Sequence, residues 1–140
     1  MKYRAQAHVV YETKYHIVWI PKYRRKILVG GVGKYFEKVM RNYLEEKYPD
    51  VYVEELSVQV DHVHMMVVIP PKYAVSSIVG GIKSKTSLRM KKEFGFMGSS
   101  KQVWSIGYFV STVGMNETVI RKYIQNQEDQ DKGRAKLALE

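Results

Sequence analysis

An apolar stretch near the middle of the chain, residues 60–70, contains two histidines one residue apart, His62 and His64. Its nearly continuous apolar composition predicts a buried β-strand. Side chains at positions i and i+2 of a strand leave the same face, so both imidazoles are expected to point the same way. Two neighbouring neutral imidazoles form half of a metal site or of an acid–base pair. In the alternative interpretation, one histidine satisfies a backbone group and the other faces solvent.

The chain of 140 residues has the size of one domain and is long enough to bury a hydrophobic core. No linker rich in Pro, Ser or Gly divides it. We therefore expect a single domain over residues 1–130 and a charged tail at 131–140. The sequence has no apolar run of about eighteen residues and no apolar N-terminal segment, which predicts a cytoplasmic protein without a membrane partner.

The charge of the chain favours nucleic acid as a partner. Lys and Arg number 23 against 14 Asp and Glu, which gives a net charge of +9. The excess is concentrated at residues 22–26, 83–92 and 121–122. Charge alone leaves open a basic protein with solvated lysines, whereas no long amphipathic helix carries the charge to a membrane surface. Cysteine is absent, so any metal must be held by nitrogen and oxygen ligands.

The spacing of apolar residues predicts the element order β-α-β-β-α-β-α. Strands are expected at residues 15–20, 51–59, 62–69 and 103–113, the middle two as a hairpin. Helices are expected at residues 34–48, 76–94 and 116–130, with Ser76 or Ser77 and Asn116 as caps of the last two. This order is that of an α+β, ferredoxin-like split βαβ fold, with an antiparallel sheet, helices on one face and an added C-terminal helix.

The predicted last helix carries a second pair of candidate residues. Tyr123 and Gln127 are four residues apart, so they share one face of the helix. A phenol beside a carboxamide can serve as a nucleophile and a ligand. Core packing is the alternative, because Val119, Ile120 and Tyr123 follow the spacing of an ordinary buried stripe.

Several segments are informative when they are taken together. They are the histidine strand with its preceding Asp61, residues 15–24, residues 103–109, residues 112–114 and residues 123–127. In this order they resemble the single-tyrosine HUH transposases of the TnpA type, which move insertion sequences as single-stranded DNA. The resemblance covers most of residues 10–130, without a departure at the matched positions.

The resemblance implies a mechanism and a set of site residues. Tyr123 would be the nucleophile that attacks a DNA phosphate, leaving a 5′-phosphotyrosine and a free 3′-OH. His62, His64 and Gln127 would hold one divalent ion, Mg²⁺ or Mn²⁺, as suits two imidazoles and an amide oxygen. A phenol with a pKa of about 10 is almost fully protonated at pH 7, so it needs an activated phosphate. Joining needs no ATP, because the phosphotyrosine bond conserves the energy of the phosphodiester.

The resemblance also implies the partners. The substrate would be single-stranded DNA with hairpin structure. Members of the family are dimers in which the tyrosine helix of one subunit can complete the histidine pair of the other, so we expect a homodimer with composite active sites. Tyr23, Tyr73 and Phe94 are candidates for base stacking, with core packing as the alternative for each.

Two other classes of function stay open at this point. A ferredoxin-like RNA-processing endonuclease would use the histidines as acid and base, without a metal and without a covalent intermediate. A non-catalytic nucleic-acid-binding module of the RRM type would bind through aromatic residues on its sheet, although the aromatic-rich RNP1 pattern is absent.

Overall fold

The computed structural model describes residues 3–6, 9–98, 102–112 and 117–139. Its elements are β1 (Arg4–Gln6), β2 (Val9–Tyr11), β3 (Lys14–Trp19), α1 (Gly31–Lys47), β4 (Tyr52–Gln59), β5 (His62–Val68), α2 (Val75–Glu93), β6 (Phe109–Ser111) and α3 (Glu117–Leu139). Short 3-10 turns at Lys22–Arg24 and Gly95–Met97 follow β3 and α2. From β3 onward, the order of strands and helices is the one that the sequence predicts.

Four antiparallel strands form the central sheet in the order β4-β5-β3-β6. This arrangement confirms the ferredoxin-like α+β fold. β4 and β5 form the expected hairpin, joined by a two-residue loop of Val60 and Asp61. β1 and β2 pair in a separate two-stranded sheet that the sequence pattern did not predict. No helix within the described ranges is long and apolar enough to cross a membrane.

The main hydrophobic core lies between the sheet and helices α1 and α2. Fully buried side chains come from strands β3 and β5 and from helices α1 and α2: Ile17, Trp19, Phe36, Met65 and Ile82. Each such side chain stabilises the fold by roughly 1.5–3 kcal/mol relative to an exposed one. Gly81 lets α2 approach α1 closely, because a Cβ at this position would overlap the hydroxyl of Tyr43.

Helix α3 packs on the opposite face of the sheet. Val18 and Ile20 are buried there in a second, smaller cluster with Ile124 of α3. Phe109 of β6 and Tyr123 of α3 meet edge to face, with 5.7 Å between their ring centroids. Successive side chains along β3 therefore enter two different cores, as the period of a strand predicts.

The last strand of the sheet is shorter than the predicted 103–113. Within the described part of that range, only Phe109–Ser111 pairs with β3 as a strand, and Trp104 makes an isolated bridge to Pro21. The extended run is interrupted at Gly107, whose φ of 94° lies in a region that favours glycine. Val103 and Trp104 still bury their side chains in the main core, which accounts for the strand-like apolar pattern.

The start of α2 also differs from the prediction. The helix begins at Val75 with Ala74 as its N-cap, and no side-chain hydrogen bond caps it. The expected cap at Ser76 or Ser77 is therefore wrong, because both serines already lie inside the first turn. α1 and the end of α2 agree with the expected boundaries within three residues.

The C-terminal helix is longer than expected. α3 continues to Leu139, past its predicted end near Gln130. The reason is visible at Asp131, which is fully buried and accepts a hydrogen bond from Ser105, so that the helix remains attached beyond residue 130. The expected cap at Asn116 lies outside the described residues. The division into a domain at 1–130 and a tail at 131–140 stays a prediction.

Candidate active site

Strand β5 presents the histidine pair on the face of the sheet that α3 covers. His64 lies opposite Val18 of β3 and Ser57 of β4 in the sheet register. Because directly paired residues share a face, His64 lies on the same side as the Val18 cluster, and His62 follows two residues before it. Both histidines are half-buried. The structure thus confirms that their spacing places both imidazoles on one face.

His62 is oriented by the carboxylate beside it. Its Nδ1 lies 2.9 Å from Asp61 Oδ1, and Arg24 Nε donates to Asp61 Oδ2 at 2.9 Å. Although burial opposes ionisation, the hydrogen bonds from His62 and Arg24 hold the pKa of Asp61 below its usual range. The ionised carboxylate accepts the Nδ1 proton of His62, so in the neutral form of this imidazole Nε2 carries the lone pair. This is the tautomer that a carboxylate–histidine–metal arrangement requires.

His64 is held neutral by its surroundings. Its Nε2 lies 3.4 Å from His16 Nδ1, and the two ring centroids are 5.6 Å apart. Burial lowers the pKa of His64, and the neighbouring His16 and His62 lower it further. A neutral imidazole is the form that binds a metal. His16 was not among the residues predicted for the site, although the alternation along β3 places it on the same face as Val18.

The candidate nucleophile is covered in this arrangement. Tyr123 packs against Phe109, and its hydroxyl is buried without a hydrogen-bond partner among the described residues. Burial raises the pKa of Tyr123 well above its ordinary value, and the nearby Asp131 raises it further. The phenol is therefore protonated and shielded from water. It lies in the same cluster as Val18, the residue that pairs with His64.

Gln127 is buried, with 6% of its surface exposed. Its Nε2 donates to Ser105 Oγ at 3.0 Å and to the carbonyl oxygen of Ile106. Ser105 Oγ in turn lies 2.8 Å from Asp131 Oδ1. Within the described residues, no hydrogen bond joins Gln127 to His62 or His64. The structure therefore places the four predicted residues on one side of the sheet, with Gln127 engaged by the segment before β6.

The turn at Lys22–Arg24 joins α3 to the histidine hairpin. Tyr23 and Arg24 both have left-handed backbone conformations, with φ values of 61° and 54°. The backbone N–H of Tyr23 donates to Asp131 Oδ2 at 2.9 Å. Arg24 Nη1 lies 3.5 Å from Glu128 of α3, while its Nε binds Asp61. Arg24 thus binds the histidine hairpin through Asp61 and helix α3 through Glu128.

Lys83 fixes the segment that holds Gln127. Its Nζ donates to the carbonyl oxygens of Ser105 at 2.8 Å and Gly107 at 2.7 Å. Burial lowers the pKa of Lys83 to about 8. Lys83 belongs to one of the basic clusters, but because its Nζ already binds two carbonyl oxygens, it is not free for an anionic ligand. The exposed members of those clusters include Lys26, Lys85, Arg89, Lys92 and Lys122.

Of the aromatic residues that the sequence offered for stacking, Tyr23 is 37% exposed. Tyr73 and Phe94 instead pack against Tyr48 and Tyr35, with centroid separations of 4.9 and 5.5 Å. The alternative of core packing fits those two residues better.

The chain is a transposase by family: it belongs to the IS200-like transposase family, whose model matches residues 9–127, the range that contains these histidines, the tyrosine and the glutamine. Transposases are enzymes that cut and join DNA. The expected family and fold are thereby confirmed.

Relatives and solved structures agree with this placement. The chain is 37% identical to the transposase for insertion sequence element IS200 of Salmonella typhimurium over 139 residues, covering 97% of this chain and 90% of that protein. It is 29% identical over 126 residues to the ISDra2 transposase TnpA of Deinococcus radiodurans, covering 87% of this chain and 89% of that one.

The crystal structure of a candidate transposase from Deinococcus radiodurans has a TM-score of 0.75 at 26% identity, over 91% of this chain and 98% of that chain. The structure of a tyrosine transposase bound to a REP hairpin has a TM-score of 0.58 at 12% identity, over 86% of this chain and 67% of that chain. At this low identity, the second likeness shows the shared fold.

Proposed function

We propose that the protein cleaves and rejoins single-stranded DNA at insertion-sequence ends through a 5′-phosphotyrosine intermediate. Tyr123 is the nucleophile, and His62, His64 and Gln127 hold one Mg²⁺ or Mn²⁺. One observation carries the proposal: β5 turns both histidines to the face of the sheet on which α3 places the tyrosine and the glutamine. The two halves of the site that the sequence implies therefore share one side of the fold.

The donor chemistry of the three ligand residues fits a divalent ion. Within the described residues, His, Asp and Glu side chains form no group of three or more that could hold a metal, and the third donor that we propose is of another type. An amide oxygen is such a donor. His62 offers Nε2, because Asp61 accepts its Nδ1 proton, and His64 is neutral. A bound Mg²⁺ or Mn²⁺ would polarise a non-bridging oxygen of the scissile phosphate.

The DNA cleavage step that we assign to Tyr123 requires no nucleotide cofactor. Its phenol oxygen forms a bond to phosphorus, and the bond from phosphorus to the 3′ oxygen of the DNA breaks. The phenol proton is released, and the departing oxygen takes up a proton to become a free 3′-OH. A 3′-OH of another strand can reverse the exchange and join the DNA. The buried Tyr123 hydroxyl must be uncovered before this attack.

The proposed partners follow from charge and family. A net charge of +9 suits the DNA backbone, and a protein of the same fold has been seen bound to a REP hairpin. We assign hairpin-containing single-stranded DNA as the substrate, a homodimer with composite sites as the active form, and the cytoplasm as its location. The RNA-processing endonuclease and the non-catalytic module are the alternatives, and the match to the IS200-like transposase family favours neither of them.

The decisive test is incubation with single-stranded DNA from an insertion-sequence end and Mn²⁺, followed by denaturing electrophoresis. We expect a covalent protein–DNA adduct that EDTA abolishes and that Tyr123→Phe lacks. Tyr52→Phe is the matched control, because Tyr52 is 46% exposed on β4, and it should form the adduct normally. Strand cleavage by Tyr123→Phe would refute the assignment of the nucleophile. Cleavage of RNA in EDTA, without an adduct, would favour the endonuclease.

A further inference from the structure

We infer that Ser105 and Asp131 are positioning residues that orient the amide of Gln127, so that its oxygen rather than its nitrogen is available to the divalent ion. The inference rests on the proposed function, because it concerns the ligand role of Gln127. It adds two residues to the site: one from the segment before β6, and one from the part of α3 that the sequence indicated as a charged tail.

The orientation of the Gln127 amide follows from what surrounds it. A backbone carbonyl only accepts hydrogen bonds, so the group that faces the carbonyl of Ile106 must be the NH₂ of Gln127. The same nitrogen lies 3.0 Å from Ser105 Oγ. A primary amide has two N–H donors, and both are used by these contacts. The amide oxygen is left to act as a ligand.

Asp131 fixes the direction of the hydrogen bond at Ser105. A carboxylate only accepts, so the single hydroxyl proton of Ser105 is donated to Asp131 Oδ1, 2.8 Å away. The oxygen of Ser105 must then accept from Gln127. Asp131 is fully buried and also accepts the backbone N–H of Tyr23 at 2.9 Å, which fixes its own orientation. The donor order therefore runs from Gln127 to Ser105 to Asp131.

The segment that accepts the hydrogen bonds of Gln127, residues 105–107, is itself held in place. Lys83 Nζ binds the carbonyl oxygens on either side of Ile106, those of Ser105 and Gly107. The backbone N–H of Ser105 donates to the carbonyl of Ile20 at 2.9 Å. The carbonyl of Ile106 is thus presented to α3 by a segment attached at three points.

Without this network the amide could turn by 180°, because its oxygen and nitrogen ends have nearly the same shape. An outward NH₂ would present N–H groups to a cation, which opposes binding. Loss of a hydrogen-bonding partner behind a metal ligand typically weakens metal binding by about 10- to 100-fold. We expect Ser105→Ala to lie near the lower end, since the carbonyl of Ile106 still attracts the NH₂.

The test measures Mn²⁺ binding without DNA, by electron paramagnetic resonance titration of the full chain. Tyr123→Phe serves as the parent, so that no turnover interferes. We expect Ser105→Ala to raise the Mn²⁺ dissociation constant about tenfold, and Ser105→Thr, which keeps the hydroxyl, to restore parental binding. Thr86→Val is the matched control, because the hydroxyl of Thr86 is also fully buried and accepts from the Trp104 indole at 3.0 Å. It should bind Mn²⁺ normally.

The possible outcomes separate the two proposals. Equal Mn²⁺ affinity in Ser105→Ala and its parent overturns the positioning role and leaves the metal site intact. An equal loss in Thr86→Val also overturns it, because the effect would then be general destabilisation. A parent that binds no Mn²⁺, or binds it equally after His64→Ala, overturns the metal site and this inference together. If Ser105→Ala does not fold, Asp131→Leu, which removes the acceptor of the Ser105 hydroxyl, is titrated instead, and a parental affinity there overturns the inference.

Discussion

Arg24, in the turn after β3, donates from Nε to Asp61 Oδ2 across 2.9 Å. The other carboxylate oxygen of Asp61 lies 2.9 Å from His62 Nδ1. Arg24 therefore orients an imidazole that it does not contact. The same side chain reaches Glu128 and Gln125 on α3, so one arginine links both halves of the proposed site.

Arg24→Lys should lower the rate of DNA cleavage by roughly 10- to 100-fold, because an ammonium group cannot reproduce the contacts of the guanidinium with Asp61 and Glu128. Net charge is unchanged, so DNA affinity in a filter-binding assay should stay near the parental value. Arg25→Lys is the control, since Arg25 binds only backbone carbonyls among the described residues. Equal rates for the two variants would contradict this role of Arg24.

Tyr123→Phe should also alter how stability depends on pH. Burial raises the folded-state pKa of Tyr123 above the unfolded value of about 10. Its stabilising contribution is therefore complete below pH 10 and is lost as the pH rises further, because only the unfolded chain then releases the phenol proton. In urea unfolding, we expect the free energy of unfolding of the variant to rise relative to that of the parent, by up to about 1 kcal/mol per pH unit above pH 10. Tyr52→Phe should show no such gain, and parallel curves for parent and Tyr123→Phe would contradict the burial of the phenol.

Lys83 should give the opposite dependence in a lower pH range. Burial lowers its folded-state pKa to about 8, from 10.5 in the unfolded chain. Below pH 8 both states hold the proton and the cost of burial is complete. Between about pH 8 and 10.5 the folded state releases its proton first, so stability rises with pH. Relative to Lys83→Met, the free energy of unfolding of the parent should rise by about 1–2 kcal/mol across this range. Lys85 is exposed, so the free energy of unfolding of Lys85→Met should change with pH as that of the parent does. A constant difference between the parent and Lys83→Met would rule this out.

Mixing of inactive variants tests whether the sites are composite. Tyr123→Phe and His64→Ala are each expected to be inactive alone. In a mixed dimer whose sites combine two subunits, one site pairs an intact tyrosine with an intact histidine pair, so co-expressed chains should regain cleavage at one site per dimer. If purified heterodimers stay inactive, the tyrosine and histidines of each site come from one chain.

The parts of the fold that the sequence predicted well depend on contacts close in the chain. The alternation along β3 and the histidine spacing on β5 are properties of single strands, and both are confirmed. β6 was harder to predict, because only three of its residues pair with β3, while Val103 and Trp104 are buried by packing instead. An apolar pattern in the sequence does not distinguish residues buried in a paired strand from residues buried by side-chain packing alone.

The candidate site shows the same limit. His62 and His64 could be placed together because only one residue separates them, but the role of Asp131 depends on Ser105, which lies far away in the sequence, in the segment before β6. A charged residue near the end of a helix is usually solvated, so the sequence favoured a tail there. The contact of His16 with His64 likewise required the register of β3 against β5, which fixes the side-chain neighbours across the sheet.

The turn at Tyr23 and Arg24 has an energetic consequence for α3. Left-handed backbone conformations cost roughly 1–2 kcal/mol for each residue with a side chain. The Tyr23 N–H bond to Asp131 and the Arg24 bridge to Glu128 hold this turn only while α3 is docked. Were α3 to leave the sheet, both contacts would be lost, and the turn could relax and recover that energy against the remaining bond of Arg24 to Asp61. The docked state is therefore less stable than its contacts alone imply, and the turn that holds the tyrosine helix also lowers the free energy needed to release it.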